Sequence, residues 1–324
     1  MAIIERTAWS AEMEKNAAVV GRMTGGAVFT TSDKNKSGKK SNPFLVSLAY
    51  KSLRLTCDLG YSLMPKEKGV KVQPISLDGI HGEITLPKKQ VSENIIFYIH
   101  GGGLISGSAK GTRAYCSMMA KYSGCRVVSI DYALAPERHY PDALNDCAKA
   151  FLALRKQFPK AKFAVQGESA GGYLTTALTI RMIETGHQPP EVIIPHSPVC
   201  DFTGETKSDY YPVHDVTVTR EGIEALVDCY CPGQDTTNPE ISVIRYGHFD
   251  KFPPTTITCD ANETLRADAE ALYNKLIDAG VDATLLMYHG TFHAFAPIGT
   301  SSPETMELLI DNIHFMKRCW GEEQ

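Results

Sequence analysis

Two short apolar runs that each empty into glycines constrain this chain more than any other feature. Ile95-Ile96-Phe97-Tyr98-Ile99 leads into His100-Gly101-Gly102-Gly103, and Lys162-Phe163-Ala164-Val165-Gln166 leads into Gly167-Glu168-Ser169-Ala170-Gly171-Gly172. Continuous apolar runs of this length read as buried strands, and glycines at their ends free the backbone for a tight turn or a close approach. The second run ends in the Gly-x-Ser-x-Gly form of a strand-to-helix elbow, where small neighbours let a serine stand above the sheet. The stretch from Tyr173 to Thr185 is helical in pattern and stops at Gly186, a suitable C-terminal glycine. Ser169 is therefore the candidate nucleophile. Ala170 opens the helix, where its N–H and the positive end of the helix dipole can receive a developing oxyanion. The glycine triplet would supply the remaining donors, with Gly102 and Gly103 the best pair, while His100 reads as a brace for the loop.

In this type of fold the order along the chain is serine, acid, histidine. Among the ten histidines, His293 sits in Gly290-Thr291-Phe292-His293-Ala294-Phe295. That segment lies after a strand-like run from Ala283 to Tyr288 and before a last helix from Ser302 to Cys319, so it is a loop at the carboxyl end of a strand, where open α/β sheets carry their sites. His289 lies four residues earlier, a helical metal-pair spacing, but Gly290 and the strand context argue against a helix, and no metal site is read there. Two acids follow the apolar run from Thr255 to Cys259: Asp260 and Glu263. Either could hold the imidazole in one tautomer and stabilise the imidazolium, and position alone does not separate them.

These segments resemble the hormone-sensitive-lipase-like esterases of the α/β-hydrolase superfamily. His100 to Gly103 with Gly107-Ser108 is similar to that family's glycine loop, and Gly167 to Gly172 to its elbow. Asp131-Tyr132-Ala133-Leu134-Ala135-Pro136-Glu137-Arg138 is similar to its Asp-Tyr-Arg-Leu-Ala-Pro-Glu block, with alanine where arginine is usual. Ser197-Pro198, Asp201, Phe252-Pro253-Pro254, Leu265-Arg266 and Gly290-x-x-His293 fall in the family's order, so the likeness runs from about residue 70 to 316. Family members read Asp-Pro-Leu-Arg where this chain has Glu263-Thr264-Leu265-Arg266. The resemblance thus implies Glu263 as the acid, at an interval of 293 − 263 = 30 residues from the histidine. It also implies an α/β-hydrolase fold, with a mostly parallel, doubly wound sheet and a helical cap from the N-terminus and a mid-chain insertion.

A chain of 324 residues with 43% hydrophobic content can bury a large core, and strands alternating with helices from about residue 70 indicate one α/β domain. Residues 1–55 are expected to form N-terminal cap helices, one with Trp9, Met13, Ala17 and Val20 on a shared face and another with Phe44, Leu48 and Leu55 inward. Residues 56–199 and 251–324 are expected to form the core, and 200–250 a cap insertion. The lysines at 34, 36, 39 and 40 read as a solvated linker. A net charge of −4 does not suggest a nucleic-acid surface, and no apolar run approaches a membrane span. Nine scattered cysteines without Cys-x-x-Cys suggest reduced thiols in a cytoplasmic protein. The expected activity is hydrolysis of short-chain, water-soluble esters, with no cofactor and no metal, no nucleic-acid or membrane partner, and a homodimer as an open question. Amides, lactones or acetylated sugars would use the same parts. A ligand-binding receptor, as in plant hormone receptors that resemble this family but lack the histidine, is disfavoured by His293.

Overall fold

The computed structural model describes residues 2–24, 51–52, 54–55, 64–206, 215–298 and 300–322. A nine-stranded sheet organises them: β1 (Ala2–Thr7), β2 (Val70–Leu77), β3 (Ile80–Pro87), β4 (Ile95–Ile99), β5 (Arg126–Ile130), β6 (Phe163–Glu168), β7 (Val192–His196), β8 (Thr255–Asp260) and β9 (Ala283–His289), in the order β1-β9-β8-β7-β6-β4-β5-β3-β2. The strands from β1 to β5 in that order pair in parallel. The hairpin of β2 and β3 is antiparallel, and β3 also pairs antiparallel with β5. The longer helices are α1 (Ala11–Thr24), α2 (Arg113–Ser123), α3 (Asp142–Gln157), α4 (Ala170–Glu184), α5 (Arg220–Tyr230), α6 (Arg266–Asp278) and α7 (Pro303–Trp320).

Alternation along the buried strands explains the two helical layers. Ile95, Phe97 and Ile99 of β4 join one core with residues of α3, α4 and α6, while Ile96 and Tyr98 join a second with residues of α1, α2 and α7. Successive side chains of a strand point to opposite faces, so a strand packed on both sides must be apolar throughout. The central run is therefore continuous, with all five residues of β4 buried. The sheet order reverses around β4, which puts the loop after β4 beside the turn after β6 at the carboxyl edge of the sheet. Ligands of open α/β sheets bind at such an edge.

The N-terminal segment departs from the expected run of cap helices. Residues 2–7 form β1, an edge strand added in parallel to β9. Met13 and Val20 of α1 are buried, and Ala17 packs against the same core, but Trp9 precedes the helix and is 71% exposed. Leu55, expected inward, is 72% exposed. Phe44, Leu48 and the lysines at 34, 36, 39 and 40 lie outside the described residues. Within 200–250 the described residues hold α5 and two short turns of 3₁₀ helix, Val243–Arg245 and Phe249–Lys251. The eight described cysteines form no disulfide with one another. No helix among the described residues is long and apolar enough to cross a membrane.

Candidate active site

The backbone of the elbow is tightly constrained. Ser169 sits between β6 and α4 at φ 56° and ψ −119°, a left-handed conformation that costs a non-glycine residue energy and persists only where its surroundings enforce it. Those surroundings are its N–H, which donates to His196 O at 2.8 Å, and its carbonyl, which accepts from Tyr173 N at 3.0 Å. Strand and helix approach so closely that a Cβ at Gly171 would collide with Ile99 O, and one at Gly167 would lie 2.5 Å from Gly171 O. The elbow thus requires its small residues. It places Ala170 at the start of α4, as the elbow motif implies.

The glycine loop is built around Gly102, whose φ of 108° admits essentially no side chain. Its carbonyl accepts Ile105 N–H at 3.2 Å, Ser106 N–H at 3.0 Å and Ser106 Oγ–H at 2.9 Å. Neither Gly102 nor Gly103 donates its N–H to another described residue. The loop and elbow are tied by Glu168, the residue before the serine. Its Oε1 accepts Gly101 N–H at 2.7 Å, and its Oε2 accepts the Tyr98 hydroxyl in a short hydrogen bond. Burial pushes the Glu168 carboxyl up to about 7 against the pull of these two donors. His100 stays in the loop, with Nδ1 2.8 Å from Gly101 O and its ring stacked on Tyr132 at 4.2 Å between centroids. From the N-terminal segment, Arg54 donates to Ile105 O at 2.6 Å and forms an ion pair with Glu137.

His293 occupies the loop after β9 and is 4% exposed. Its Nδ1 lies 3.1 Å from Glu263 Oε2, while its buried Nε2 has no hydrogen-bond partner among the described residues. Burial disfavours the imidazolium, but the hydrogen bond and charge of Glu263, with the charges of Asp215 and Glu168, outweigh it and hold the His293 pKa above the usual histidine value. Burial likewise pushes Glu263 up, opposed by His293, so the two titrate as a coupled pair. Asp260 is turned elsewhere: Oδ2 accepts the N–H and hydroxyl of Thr291 at 2.9 and 2.8 Å, and Oδ1 accepts Asn262 N–H at 2.8 Å. Of the two candidate acids, Glu263 meets the imidazole and Asp260 braces the loop that carries it.

Two residues at this site were not singled out as functional from sequence. Ser197, at φ 47°, donates Oγ–H to Glu263 Oε2 at 2.9 Å and accepts Ala294 N–H at 3.2 Å. Asp215 brings a carboxylate from the insertion: one donor atom each of Asp215, Glu263 and His293 lies within 4.8 Å of the others. By distance the three could share an ion. Their chemistry is otherwise engaged, since Nδ1 and Oε2 are joined to each other and both Asp215 oxygens accept backbone N–H groups. In the sequence Ser197-Pro198 is a family marker only, and nothing in its local pattern announces the hydrogen bond to Glu263.

A profile of the α/β hydrolase fold matches residues 96–297. An esterase of Acinetobacter venetianus is 30% identical over 280 residues, covering 84% of this chain and 90% of that protein. The versiconal hemiacetal acetate esterase of Aspergillus parasiticus is 26% identical over 244 residues, covering 72% and 77%. Among solved structures, a hormone-sensitive lipase from a metagenome library superposes with a TM-score of 0.77 at 26% identity, covering 85% of this chain and 96% of that one.

Proposed function

Since this chain belongs to the α/β-hydrolase fold family, among the hormone-sensitive-lipase-like esterases, we propose that it cleaves short-chain, water-soluble carboxylic esters through Ser169, His293 and Glu263. The observation that carries this reading is the state of His293: one ring nitrogen is held by a buried carboxylate, and the other is buried without a partner among the described residues. A histidine so held keeps its proton on Nδ1, which leaves Nε2 as the base. Ser169 Oγ attacks the ester carbonyl and its proton passes to Nε2. The oxyanion is received by the N–H groups of Gly102, Gly103 and Ala170, each worth about 3 to 4 kcal/mol in the transition state. The imidazolium, paired with Glu263, then protonates the departing alcohol, and a water deprotonated by the same nitrogen hydrolyses the acyl-enzyme. None of these steps calls for a cofactor.

The acetate in the name of the Aspergillus relative supports a short acyl group. Turnover of p-nitrophenyl esters from acetate to decanoate tests this, with kcat/KM expected to be highest between acetate and butyrate. Ser169→Ala should lower kcat by roughly 10⁴ to 10⁶ without loss of fold, and a fluorophosphonate should label Ser169. More than a tenth of wild-type activity in the alanine variant would overturn the mechanism.

A further inference from the structure

Asp215 reaches the acid–base pair from the insertion between β7 and β8, and its carboxylate is held there. Oδ2 accepts Thr264 N–H at 2.9 Å, next to Glu263 in the chain, and Thr264 Oγ1 donates back to Val218 O at 2.7 Å. Oδ1 accepts the N–H and hydroxyl of Thr217, both at 2.8 Å, and Val218 N–H at 3.0 Å. With four donors on its two oxygens, the carboxylate cannot swing to solvent without breaking the stitch between the insertion and the turn that bears the acid. Glu263 Oε1 is buried and has no hydrogen-bond partner among the described residues. Two carboxylates therefore stand beside an imidazole that a triad requires only one to serve.

We propose that Asp215 is a positioning residue of the proposed triad, fixing the Glu263 turn and keeping a second negative charge beside His293 when the imidazole is protonated during acyl transfer. The inference rests on His293 acting as the base. The charged and titratable groups around it come from four elements: Glu263 from the turn after β8, Asp215 from the insertion, Glu168 from the end of β6, and His196 from the end of β7. His196 carries no charge there, because burial and the neighbouring His293 depress it to about 3. Asp260 acts on Glu263. Asp215 and Glu168 are the charges that reach His293 without hydrogen-bonding to it, and only Asp215 belongs to the insertion.

The test is Asp215→Asn, read in two ways. In the first, NMR titration of histidine-labelled protein follows His293, assigned by the resonance that His293→Ala removes. Its midpoint should move down by roughly one pH unit. In the second, the acid limb of kcat/KM should move down with it, while kcat falls about threefold to thirtyfold with KM nearly unchanged, and Asp215→Glu restores most of the loss. If the asparagine variant folds poorly, Asp215→Ser removes the same charge with a smaller side chain. A neutral variant that melts like wild type but leaves the His293 midpoint within about 0.2 unit would overturn the proposal. So would full activity with an unchanged pH profile. Should Ser169→Ala prove active, the hydrolase mechanism would fall, while the NMR titration would still decide whether Asp215 acts on His293.

Discussion

Replacing Glu263 by glutamine should lower kcat by about 10² to 10⁴, and the hydrogen bonds around it say why the loss is one of charge. Ser197 Oγ accepts Ala294 N–H, so its own proton points at Glu263 Oε2, the same oxygen that faces His293 Nδ1 at 3.1 Å. A glutamine would therefore put its carbonyl oxygen there, not its amide nitrogen, and the useful tautomer would survive. What disappears is the attraction between carboxylate and imidazolium, about 5 kcal/mol for unit charges 3.1 Å apart at an effective dielectric of 20. Asp215 remains nearby and the neutral side chain is cheaper to bury, which leaves a loss of roughly 3 to 5 kcal/mol. Asp260→Asn should behave differently. It sets an amide nitrogen against Thr291 N–H or Asn262 N–H, costing about 1 to 3 kcal/mol of stability and only a few-fold in kcat. Both variants should be assayed with p-nitrophenyl acetate and checked by thermal melt. A Glu263→Gln enzyme within fivefold of wild type, or an Asp260→Asn enzyme with the larger kcat loss at an unchanged Tm, would refute the assignment.

The raised pKa of His293 sets the direction of the pH dependence: imidazolium persists to higher pH than in a free histidine and cannot accept the serine proton. The rate should thus fall as pH drops through a midpoint above the ordinary 6.5, and kcat/KM that stays flat to pH 5 in folded protein would contradict this. Ser197→Ala removes both the donor to Glu263 and the acceptor for Ala294 N–H, and should cost about tenfold in kcat with KM little changed in steady-state assays. Gly102→Ala forces a side chain onto φ 108° and into Ser106 O. Both kcat and Tm should drop, the former by about 10² or more if the loop donors shift away from the oxyanion.

The fold was legible where a segment's environment is uniform. Ile95–Ile99 is buried on both faces, so its apolar run and its strand coincide. The run from Thr255 extends one residue further, because Asp260 is buried by its bonds to the next loop and not by hydrophobicity. Helix α4 starts ahead of its apolar pattern, since Ala170, Gly171 and Gly172 are dictated by the close approach to β4 and carry no periodicity. The edge strand β1 is not legible in the sequence, for the opposite reason. Ile3 and Ile4 are 50% and 40% exposed, and alternation means little on a strand with so little burial. Its existence depends on pairing with β9, at the other end of the chain. Helical spacing puts Trp9 on the face of Met13 and Val20, but the helix begins at Ala11, after it.

The site divides along the same physical line. The elbow and the glycine loop are local conformations, and a left-handed serine or a φ of 108° can be inferred from the small residues that permit it. The acid is not local. Nothing within the stretch from Asp260 to Glu263 says which carboxylate points at the imidazole, because that depends on Thr291 capturing Asp260 from 31 residues away and on Ser197 receiving Glu263 from 66. Resemblance chose Glu263 by counting positions, whereas the geometry distinguishes the two acids by what each oxygen accepts. Asp215 lay furthest from reach, since its tie to Thr264 spans 49 residues and leaves the insertion without any recognisable pattern. A carboxylate held by four donors beside a buried histidine is visible only once the chain has closed around it. An acid–base pair assembled this way also makes its basicity depend on where the insertion sits, so a change anywhere along that segment that shifts Asp215 should be read first in the pH profile and only then in the rate.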